Sequence, residues 1–381
     1  MSIFRKTLSC AVLAALGTCA LVGCGRQDTS NKATTSASPE ASAAITETIS
    51  KSTASSEQTS YSEASGAQPA ETEPAVSEAP SVDDSTPFGQ HGALHVENGK
   101  LTDADGNIVQ LYGMSTHGIA WFPQYINYDS FRTLRDDWNT NCIRLAMYTA
   151  EYGGYCAGGD KEQLKQLVRD GVSYATELGM YVIVDWHILS DCDPNQNKDE
   201  AIAFFREMSE AFADNDNVLY EICNEPNSGT SWDSIKSYAE EVIPVIREQK
   251  PDAVILVGTP TWSQEIDKAA ASPLTFDNVM YTLHFYAGTH KDDLRNRLET
   301  CAQNNLPVFV SEFGMCDASG NGANDFDSTT KWLDLLNKYQ ISFCCWNLAN
   351  KDESSSVFKA ASTTLSDWTD EDFNESGRWI R

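Results

Sequence analysis

Eight short apolar runs, separated by longer stretches with apolar residues at helical spacing, constrain the fold of this chain most strongly. Helices are predicted between the runs, for example over residues 161–178, 201–212, 232–248 and 330–338. The runs cover residues 109–114, 142–148, 181–186, 218–223, 254–258, 279–285, 308–310 and 342–346. Eight strands alternating with helices predict the α/β class and a single (β/α)8 TIM barrel. An open doubly wound sheet would alternate in the same way, but no glycine-rich phosphate loop follows the first run.

A short β-hairpin is predicted ahead of the barrel. Residues 95–101 contain the pair Asn98-Gly99, and Asp105-Gly106 follows shortly after. Both pairs are strong signals for tight turns. We therefore expect one globular domain over residues 88–381 that begins with this hairpin, which is a normal length for a barrel domain.

Two glutamates stand at the ends of predicted strands. Glu225 follows the fourth run in the string Asn224-Glu225-Pro226, and Glu312 follows the seventh run in Ser311-Glu312-Phe313. They are 87 residues apart, which is close to three barrel units of about 30 residues each. The carboxyl ends of barrel strands open at one mouth, so the two carboxylates should face each other there. Hydrolysis of a glycosidic bond requires such a pair, one acting as acid and the other as base or nucleophile.

Other polar and aromatic residues also gather where the predicted strands end. Three of the six histidines in the chain are at such ends. In chain order, the side chains concerned are His117, Arg144, Tyr148, His187, Asn224, Trp262, His284, Tyr286 and Trp346. Because catalytic residues of barrels lie at the ends of several strands, this distribution predicts a functional site at the mouth.

These residues and their neighbours resemble glycoside hydrolase family 5, and specifically the bacterial endo-β-1,4-glucanases of its subfamily 2. The resemblance covers essentially all of residues 92–381 and rests on seven motifs in family order. The motifs are residues 111–118, 184–187, 220–226, 257–264, 280–286, 311–314 with 316–322, and 346–348 with 351–355. One departure is Asn347, where the family often has Ser, which concerns fine contacts in a sugar subsite.

The resemblance implies a retaining endo-β-1,4-glucanase, a cellulase that cleaves internal bonds of cellulose and related β-glucans by double displacement. In that mechanism Glu225 is the general acid/base and Glu312 is the nucleophile. Arg144 and Tyr286 are implied to hydrogen-bond the nucleophile, and neither a cofactor nor a metal is implied. The implied substrate contacts are His117, Tyr148, His187, Asn224, Trp262, His284, Tyr286, Trp346, Lys351 and Glu353. A retaining pair of carboxyl groups is separated by about 5–5.5 Å, which is close enough for repulsion to keep one protonated.

Several of these residues also have purely structural interpretations. Arg144 could serve only to neutralise buried carboxylates in the barrel. His187 and His284 could be satisfied hydrogen-bonding residues of the interior, and histidines can also bind zinc, although no His-x-x-x-His or Cys-x-x-Cys spacing is present. Trp262 and Trp346 could be packing residues, but a tryptophan at a barrel mouth is difficult to bury fully, which favours a platform for sugars.

The first 24 residues are predicted to be an export signal. They contain Arg5 and Lys6, then an apolar stretch over residues 8–21 that is short for a membrane span. Leu21-Val22-Gly23-Cys24 resembles the bacterial lipobox, which implies a lipid on Cys24 and a cell-surface lipoprotein anchored to a bacterial membrane. The alternative is cleavage near the same site and secretion into the medium.

Residues 25–87 are predicted to be a disordered tether. They consist mainly of Ser, Thr, Ala, Glu and Pro, which cannot bury enough apolar surface to offset the entropy of ordering. The formal net charge of the chain is −28, so phosphate repulsion argues against a nucleic-acid partner. We expect a monomer whose partners are a β-glucan substrate and, through the lipid anchor, a membrane.

Eleven cysteines in an exported chain raise the question of disulfides. Cys142, Cys223, Cys344 and Cys345 fall on predicted strands, where cysteine usually acts as a small buried apolar residue. The sequence places Cys156, Cys192, Cys301 and Cys316 in predicted loops, where pairing is easier, but it specifies no bridge.

Two other functional classes remain open at this point. A related glycosidase, such as a mannanase or xyloglucanase, would share the barrel and differ in its loop side chains. A surface lipoprotein that binds glycan without cleaving it would share the aromatic residues, but would have no use for both Glu225 and Glu312.

Overall fold

The structure, a computed structural model, describes residues 83–381. Its centre is a closed barrel of eight parallel strands, in the order β10-β3-β4-β5-β6-β7-β8-β9. The barrel strands are β3 (Tyr112–Thr116), β4 (Cys142–Tyr148), β5 (Tyr181–His187), β6 (Val218–Glu221), β7 (Ile255–Val257), β8 (Val279–Tyr286), β9 (Val308–Gly314) and β10 (Phe343–Leu348). The predicted TIM barrel is confirmed, and β6 and β9 are three strands apart, as the spacing of the two glutamates predicts.

The predicted hairpin is also present. Strands β1 (His95–Glu97) and β2 (Lys100–Thr102) pair in antiparallel register on either side of Asn98 and Gly99. Both turn residues have positive φ angles, 51° for Asn98 and 76° for Gly99, as this type of tight turn requires.

Helices follow most of the barrel strands and pack around them. Within the described residues they are α1 (Pro87–His91), α2 (Tyr128–Trp138), α3 (Lys161–Glu177), α4 (Lys198–Ala211), α5 (Trp232–Arg247), α6 (Pro260–Ser263), α7 (Ile266–Ala271), α8 (Asp292–Gln303), α9 (Phe326–Lys338) and α10 (Glu375–Ile380). Side-chain caps start several of them: Asp160 accepts from the Gln163 N–H at α3, and Ser231 accepts from the Ser234 N–H at α5.

Residues of the barrel strands alternate between two environments. On β5, Val182, Val184 and Trp186 pack against the surrounding helices, whereas Tyr181 and Ile183 belong to a separate apolar cluster inside the barrel. This interior cluster fills the amino-terminal half of the barrel, since side chains of a strand point alternately to its two faces. Further along the strands the inward positions become polar, and they lead to the mouth.

Strand β9 contains one extra residue relative to both of its neighbours. Thr282 pairs with Phe309 but His284 pairs with Glu312, so two residues of β8 oppose three of β9. The same offset occurs against β10, between the pairs Phe343–Val310 and Cys345–Phe313. Such a bulge redirects side chains. As a result, the adjacent residues Ser311 and Glu312 both contact groups inside the barrel.

Strand boundaries differ from the predicted runs at the two glutamates. The seventh run was limited to residues 308–310, but β9 continues to Gly314, so Glu312 lies within the strand. The fourth run extended to residue 223, but β6 ends at Glu221, so Glu225 lies in the loop that follows. Apolar content marks the buried core of a strand, whereas pairing with neighbours decides where the strand ends.

All eight cysteines of the described residues are free. The four on predicted strands are buried, as expected. Cys301 was predicted to lie in a loop, but it is buried in helix α8, where its sulfur packs into the core. Cys316 does lie in a loop and is nevertheless buried.

The predicted export signal, the predicted lipobox with Cys24 and nearly all of the predicted tether lie outside the described residues. Residues 83–86 are described, and the Thr86 hydroxyl accepts a hydrogen bond from the Gly89 N–H at the start of α1. Among the described helices, none has the length and apolar character needed to cross a membrane.

Candidate active site

A cleft of about 680 Å³ opens at the carboxyl ends of the barrel strands. Eleven of the residues predicted from the sequence line it: His117, Tyr148, His187, Glu225, Trp262, His284, Tyr286, Glu312, Trp346, Lys351 and Glu353. Arg144 and Asn224 do not line the cleft. Both are completely buried and lie beneath its floor, in contact with residues that do.

Glu312 is held by two donors, one on each carboxylate oxygen. The Tyr286 hydroxyl donates to Oε1 at 2.8 Å, and Arg144 Nη1 donates to Oε2 at 3.1 Å. Burial, with the charges of Glu312 and Glu225, raises the pKa of Tyr286 well above its usual range, so the phenol keeps the hydrogen that it donates. The Glu312 carboxylate is therefore restrained in position with only 4 % of the residue exposed.

Glu225 faces Glu312 from the loop after β6 and has a different partner. Its Oε1 lies 3.0 Å from Nδ1 of His284, and 12 % of its side chain is exposed. Burial lowers the pKa of His284, but the nearby carboxylates of Glu221, Glu225 and Glu312 outweigh it and raise the pKa to about 9. The His284 ring is consequently protonated at neutral pH, and Nδ1 donates to Glu225 Oε1.

The two glutamates are close together. One carboxylate oxygen from each and a ring nitrogen of His284 all lie within 4.8 Å of one another. Three such atoms could also surround a metal ion. However, Nδ1 of His284 is already bonded to Glu225 and Nε2 is 2.9 Å from Ser311 Oγ, so the ring has no nitrogen free for a metal without breaking one of these contacts.

Arg144 is the centre of a buried cluster of acidic residues below the cleft. Nε donates to Glu221 at 2.7 Å, Nη2 lies 3.0 Å from Asp185, and Nη1 contacts Glu312. Burial opposes ionisation of Glu221, but the positive charges of Arg144 and His284 outweigh it and lower the pKa of Glu221 to about 2. Burial raises the pKa of Asp185 well above its usual range, against the opposing charge of Arg144.

The side chain of Asn224 is occupied by protein groups on both ends of its amide. Oδ1 accepts from Arg144 Nη2 at 2.6 Å, and Nδ2 donates to the carbonyl of Ile188 at 3.1 Å. The amide lies beneath the floor of the cleft. Its contact with a sugar hydroxyl is not tested by the structure and stays a prediction.

His117 and His187 are neutral members of the cleft wall. Burial, together with Lys351 and His187, lowers the pKa of His117 to about 3, and burial with Arg144 lowers that of His187 to about 3. The Gly118 N–H donates to Nδ1 of His117 at 2.6 Å, and Nε2 lies 3.4 Å from Lys351 Nζ and 3.7 Å from Glu353 Oε1.

Two tryptophans stand on different parts of the cleft. Trp346 is 6 % exposed and stacks on His187, with ring centres 5.3 Å apart. Trp262 is 44 % exposed and sits in a left-handed turn in which three successive residues have positive φ. Its backbone N–H donates to the carbonyl of Pro226 at 2.9 Å, which ties this turn to the loop that carries Glu225.

Lys351 and Glu353 form an ion pair at one side of the cleft. Lys351 Nζ lies 2.7 Å from Glu353 Oε2, while Asn347 and Ser355 donate to Oε1 at 3.2 and 2.9 Å. Asn347, noted from the sequence as a departure, is completely buried. It thus acts on the cleft through Glu353.

The cleft also contains residues to which the sequence assigned no role. They are Trp121, Glu151, Leu189, Gln264, His290, Ala318, Ser319 and Gly320. Most belong to loops that continue from the strand ends. Trp121 lies only four residues after His117, and an aromatic residue so close to a strand end could have been predicted as part of the site. Loop conformation brings them to the cleft, and short-range patterns do not encode it.

The chain matches the family model described as cellulase (glycosyl hydrolase family 5) over residues 102–352. Among curated proteins, the chain is 51 % identical to endoglucanase A of Butyrivibrio fibrisolvens over 293 residues, covering 76 % of this chain and 68 % of that protein. It is 47 % identical to an endoglucanase of Clostridium saccharobutylicum over 299 residues, covering 78 % of this chain and 65 % of that protein. The match thus spans about two thirds of the length of these relatives.

Among solved structures, the chain is similar to the catalytic domain of Thermobifida fusca endoglucanase Cel5A in complex with cellotetraose. The TM-score is 0.74 at 42 % sequence identity, over 77 % of this chain and 98 % of that domain.

Proposed function

Because the chain belongs to the cellulases of glycosyl hydrolase family 5, we propose that it is a retaining endo-β-1,4-glucanase acting on cellulose and related β-glucans. Glu225 is the general acid/base and Glu312 is the nucleophile. The observation that carries this assignment is the pair of carboxylates facing each other with oxygens within 4.8 Å. That separation suits direct attack by one carboxylate and leaves too little room for the water that an inverting enzyme places between them.

The reaction proceeds by two displacements at the anomeric carbon. In the first, Glu312 Oε attacks this carbon while protonated Glu225 gives its proton to the glycosidic oxygen, so that the bond to the leaving chain breaks. In the second, Glu225 takes a proton from a water molecule that attacks the same carbon, and the bond to Glu312 breaks. Tyr286 and Arg144 support the role of Glu312, since both aim hydrogen at its oxygens.

The glutamine variants of the two glutamates test these roles. Glu225→Gln and Glu312→Gln should each lose nearly all release of reducing ends from carboxymethylcellulose, because the amide keeps the shape but neither transfers the proton nor attacks. Glu207→Gln is the matched control, since Glu207 lies on α4 away from the cleft and binds Lys165 and Arg169. A tenth or more of wild-type turnover in either active-site variant would show that the assignment is wrong.

The order of the two roles can be tested with a substrate that has a very good leaving group. Such a substrate needs little help from an acid, so Glu225→Gln should regain part of the first step and Glu312→Gln should not. The opposite result would exchange the two roles.

The stereochemistry of the product tests the retaining mechanism by itself. Proton NMR within the first minutes of hydrolysis of a β-linked oligosaccharide should detect the β-anomer first. If the α-anomer appeared first, water would displace the leaving group directly, and the proposed double-displacement mechanism would be wrong.

The choice of polysaccharide is tested by comparing carboxymethylcellulose, glucomannan and xylan in one assay. We expect the highest rate on the β-glucan, in keeping with the names of the relatives. A higher rate on glucomannan or xylan would favour the mannanase or another related glycosidase. Binding without release of reducing ends from any of them would favour a glycan-binding lipoprotein.

We further propose that the mature chain begins at Cys24 with lipid attached and that residues 25–87 tether the barrel to a bacterial surface. About 60 residues of random coil span roughly 45 Å. Cys24→Ser should move activity from the membrane fraction to the soluble fraction. Wild-type activity free in the medium, with an unmodified amino terminus by mass spectrometry, would support secretion instead.

A further inference from the structure

Two buried side chains to which the proposed reaction assigns no role, Glu221 and Ser311, connect the two catalytic glutamates. Glu221 is the last residue of β6, and Ser311 precedes Glu312 in β9; neither has any exposed surface. The bulge in β9 directs Ser311 into the barrel beside Glu312. A strand without the extra residue would direct adjacent side chains to opposite faces.

The Glu221 carboxylate has a separate partner on each oxygen. Oε1 accepts from the Ser311 hydroxyl at 2.7 Å, and Oε2 accepts from Arg144 Nε at 2.7 Å. The same guanidinium donates through Nη1 to Glu312. Glu221 is therefore linked to the nucleophile through one residue, Arg144.

On its other side, Glu221 is linked to the acid/base through Ser311 and His284. A hydroxyl has one hydrogen, and Ser311 donates it to Glu221, so its oxygen accepts from Nε2 of His284 at 2.9 Å. Nε2 must then carry a hydrogen. Nδ1 of the same ring is left facing Glu225 Oε1 at 3.0 Å, since the partner of one ring nitrogen sets the state of the other.

The proton between Nδ1 and Glu225 consequently has two possible sites. With the proton on Nδ1, Glu225 is a carboxylate and can act as a base; with the proton on Glu225, it is a carboxylic acid. The charged groups near this ring are Glu221 from β6, Glu225 from the loop after it, Glu312 from β9, Arg144 from β4 and Asp185 from β5. Three of the acidic groups favour the imidazolium, which agrees with the raised pKa of His284.

We propose that Glu221 and Ser311 are a positioning pair that keeps the His284 hydrogen on Nε2, so that Nδ1 exchanges a proton with Glu225 while Arg144 aims Glu312. This inference rests on the proposed roles of the two glutamates. In the first half-reaction one proton leaves the His284–Glu225 pair for the glycosidic oxygen. In the second, the attacking water returns one proton to the same pair, so its proton count is restored in each turnover.

Ser311→Ala tests the pair with the smallest change of volume. Without the hydroxyl, Nε2 loses its acceptor and the imidazolium is less stable, so the shared proton is held more weakly. The alkaline limb of the pH profile of kcat/KM should shift to lower pH by about one unit, and kcat should fall about tenfold. Glu221→Gln should shift the limb in the same direction because it removes a negative charge.

Two further variants provide controls. Ser311→Thr keeps the hydroxyl and should keep the wild-type pH profile. Ser342→Ala removes another buried hydroxyl, which accepts from the Leu111 N–H at 2.9 Å near the amino-terminal end of the barrel, and should leave the profile unchanged. An equal shift in Ser342→Ala would show that loss of any buried hydroxyl shifts the pH profile. The proposal that Glu221 and Ser311 position the His284 hydrogen would then be wrong.

A measurement on the wild-type protein tests the same inference without reference to activity. Nitrogen-15 NMR of the His284 ring should find Nε2 protonated throughout pH 5–9, with only Nδ1 changing its state, and Ser311→Ala should show both tautomers. A wild-type ring with a bare Nε2 would overturn the proposal even if no variant folds.

The two proposals fail in different ways. A wild-type chain that releases no reducing ends from any β-glucan would contradict the proposed function, whereas the NMR result would still decide the state of His284. An active wild-type enzyme whose Ser311→Ala and Glu221→Gln variants keep its pH profile would overturn the positioning pair alone.

Discussion

Replacement of Arg144 by lysine separates a catalytic contribution of this residue from a structural one. The substitution keeps a positive charge inside the barrel but removes the planar fork. Three nitrogens of the guanidinium reach different partners: Nε reaches Glu221 at 2.7 Å, Nη1 reaches Glu312 at 3.1 Å, and Nη2 reaches Asn224 at 2.6 Å. An ammonium group is a single point on a flexible chain and cannot occupy all three positions.

The expected loss of stability follows from the burial of this cluster. Arg144 and Glu221 are both completely buried, so a carboxylate that loses its partner cannot be compensated by water. Loss of one partner of a buried pair costs about 3–5 kcal/mol. For a domain of about 300 residues, Arg144→Lys should lower the melting temperature by roughly 5–8 °C.

The expected loss of rate follows from the contact between Nη1 and Glu312. A hydrogen bond to a charged group contributes about 1.5–3 kcal/mol. If that interaction supports the transition state, kcat should fall by roughly 10- to 150-fold. The fall should appear at temperatures well below the melting transition, where all of the protein is folded.

The assay combines thermal denaturation, followed by circular dichroism, with kcat on a soluble β-glucan. Arg295→Lys is the control: Arg295 is 9 % exposed on α8, contacts Asp292 and Ser328, and does not line the cleft. A lower melting temperature with kcat within about twofold of wild type would mean that Arg144 is purely structural. Unchanged melting would refute the stability argument itself.

Three further predictions concern other residues of the cleft. Tyr286→Phe removes the hydroxyl that donates to Glu312 at 2.8 Å, so steady-state kinetics should show kcat reduced by about tenfold or more; full activity would show that this bond is not used. Trp262→Ala removes the exposed ring, so KM for long β-glucans should rise by up to about tenfold with kcat little changed, whereas an unchanged KM would show that the ring is not a platform. The pKa of His284 is about 9 in the folded chain and about 6.5 when unfolded. Protonation of His284 therefore stabilises the fold fully below about pH 6.5, and this contribution is lost as pH rises through about 9. The melting temperature of the wild type should fall over that range, and that of His284→Gln should fall less.

Much of the barrel could be predicted because its elements are encoded by neighbouring residues. The second strand of the barrel, β4 (Cys142–Tyr148), coincides with its predicted run. Helices α3 and α5 each end one residue before the predicted end. Burial on both faces makes such strands continuously apolar, and burial on one face makes helices periodic. Errors are concentrated where hydrogen bonding between strands sets the end of a strand. Strand β9 continues four residues beyond its apolar run, because it pairs with β8 as far as the Tyr286–Gly314 pair.

The cleft could be predicted in part for a related reason. Residues at the strand ends, such as His187 and Tyr286, reach the mouth because parallel strands end together. Trp121 and His290 also line the cleft, but they lie on loops whose paths depend on contacts made with distant segments. For Arg144, the sequence left catalytic and structural roles open, and the structure shows it in contact with Glu312 and with the buried carboxylates of Asp185 and Glu221.

By itself, the sequence determined the number and order of the strands, the placement of Glu225 and Glu312 three strands apart, and the family of the chain. Only the tertiary structure decided how the two glutamates are linked. In the sequence, Glu221 lies inside the fourth predicted run and Ser311 is only the neighbour of Glu312, so neither is marked as a link. Closure of the barrel brings β6 within reach of β9, and the bulge turns Ser311 and Glu312 to the same side. Such contacts join residues 90 positions apart, and a local pattern cannot encode them because their distances are set by how the whole sheet closes.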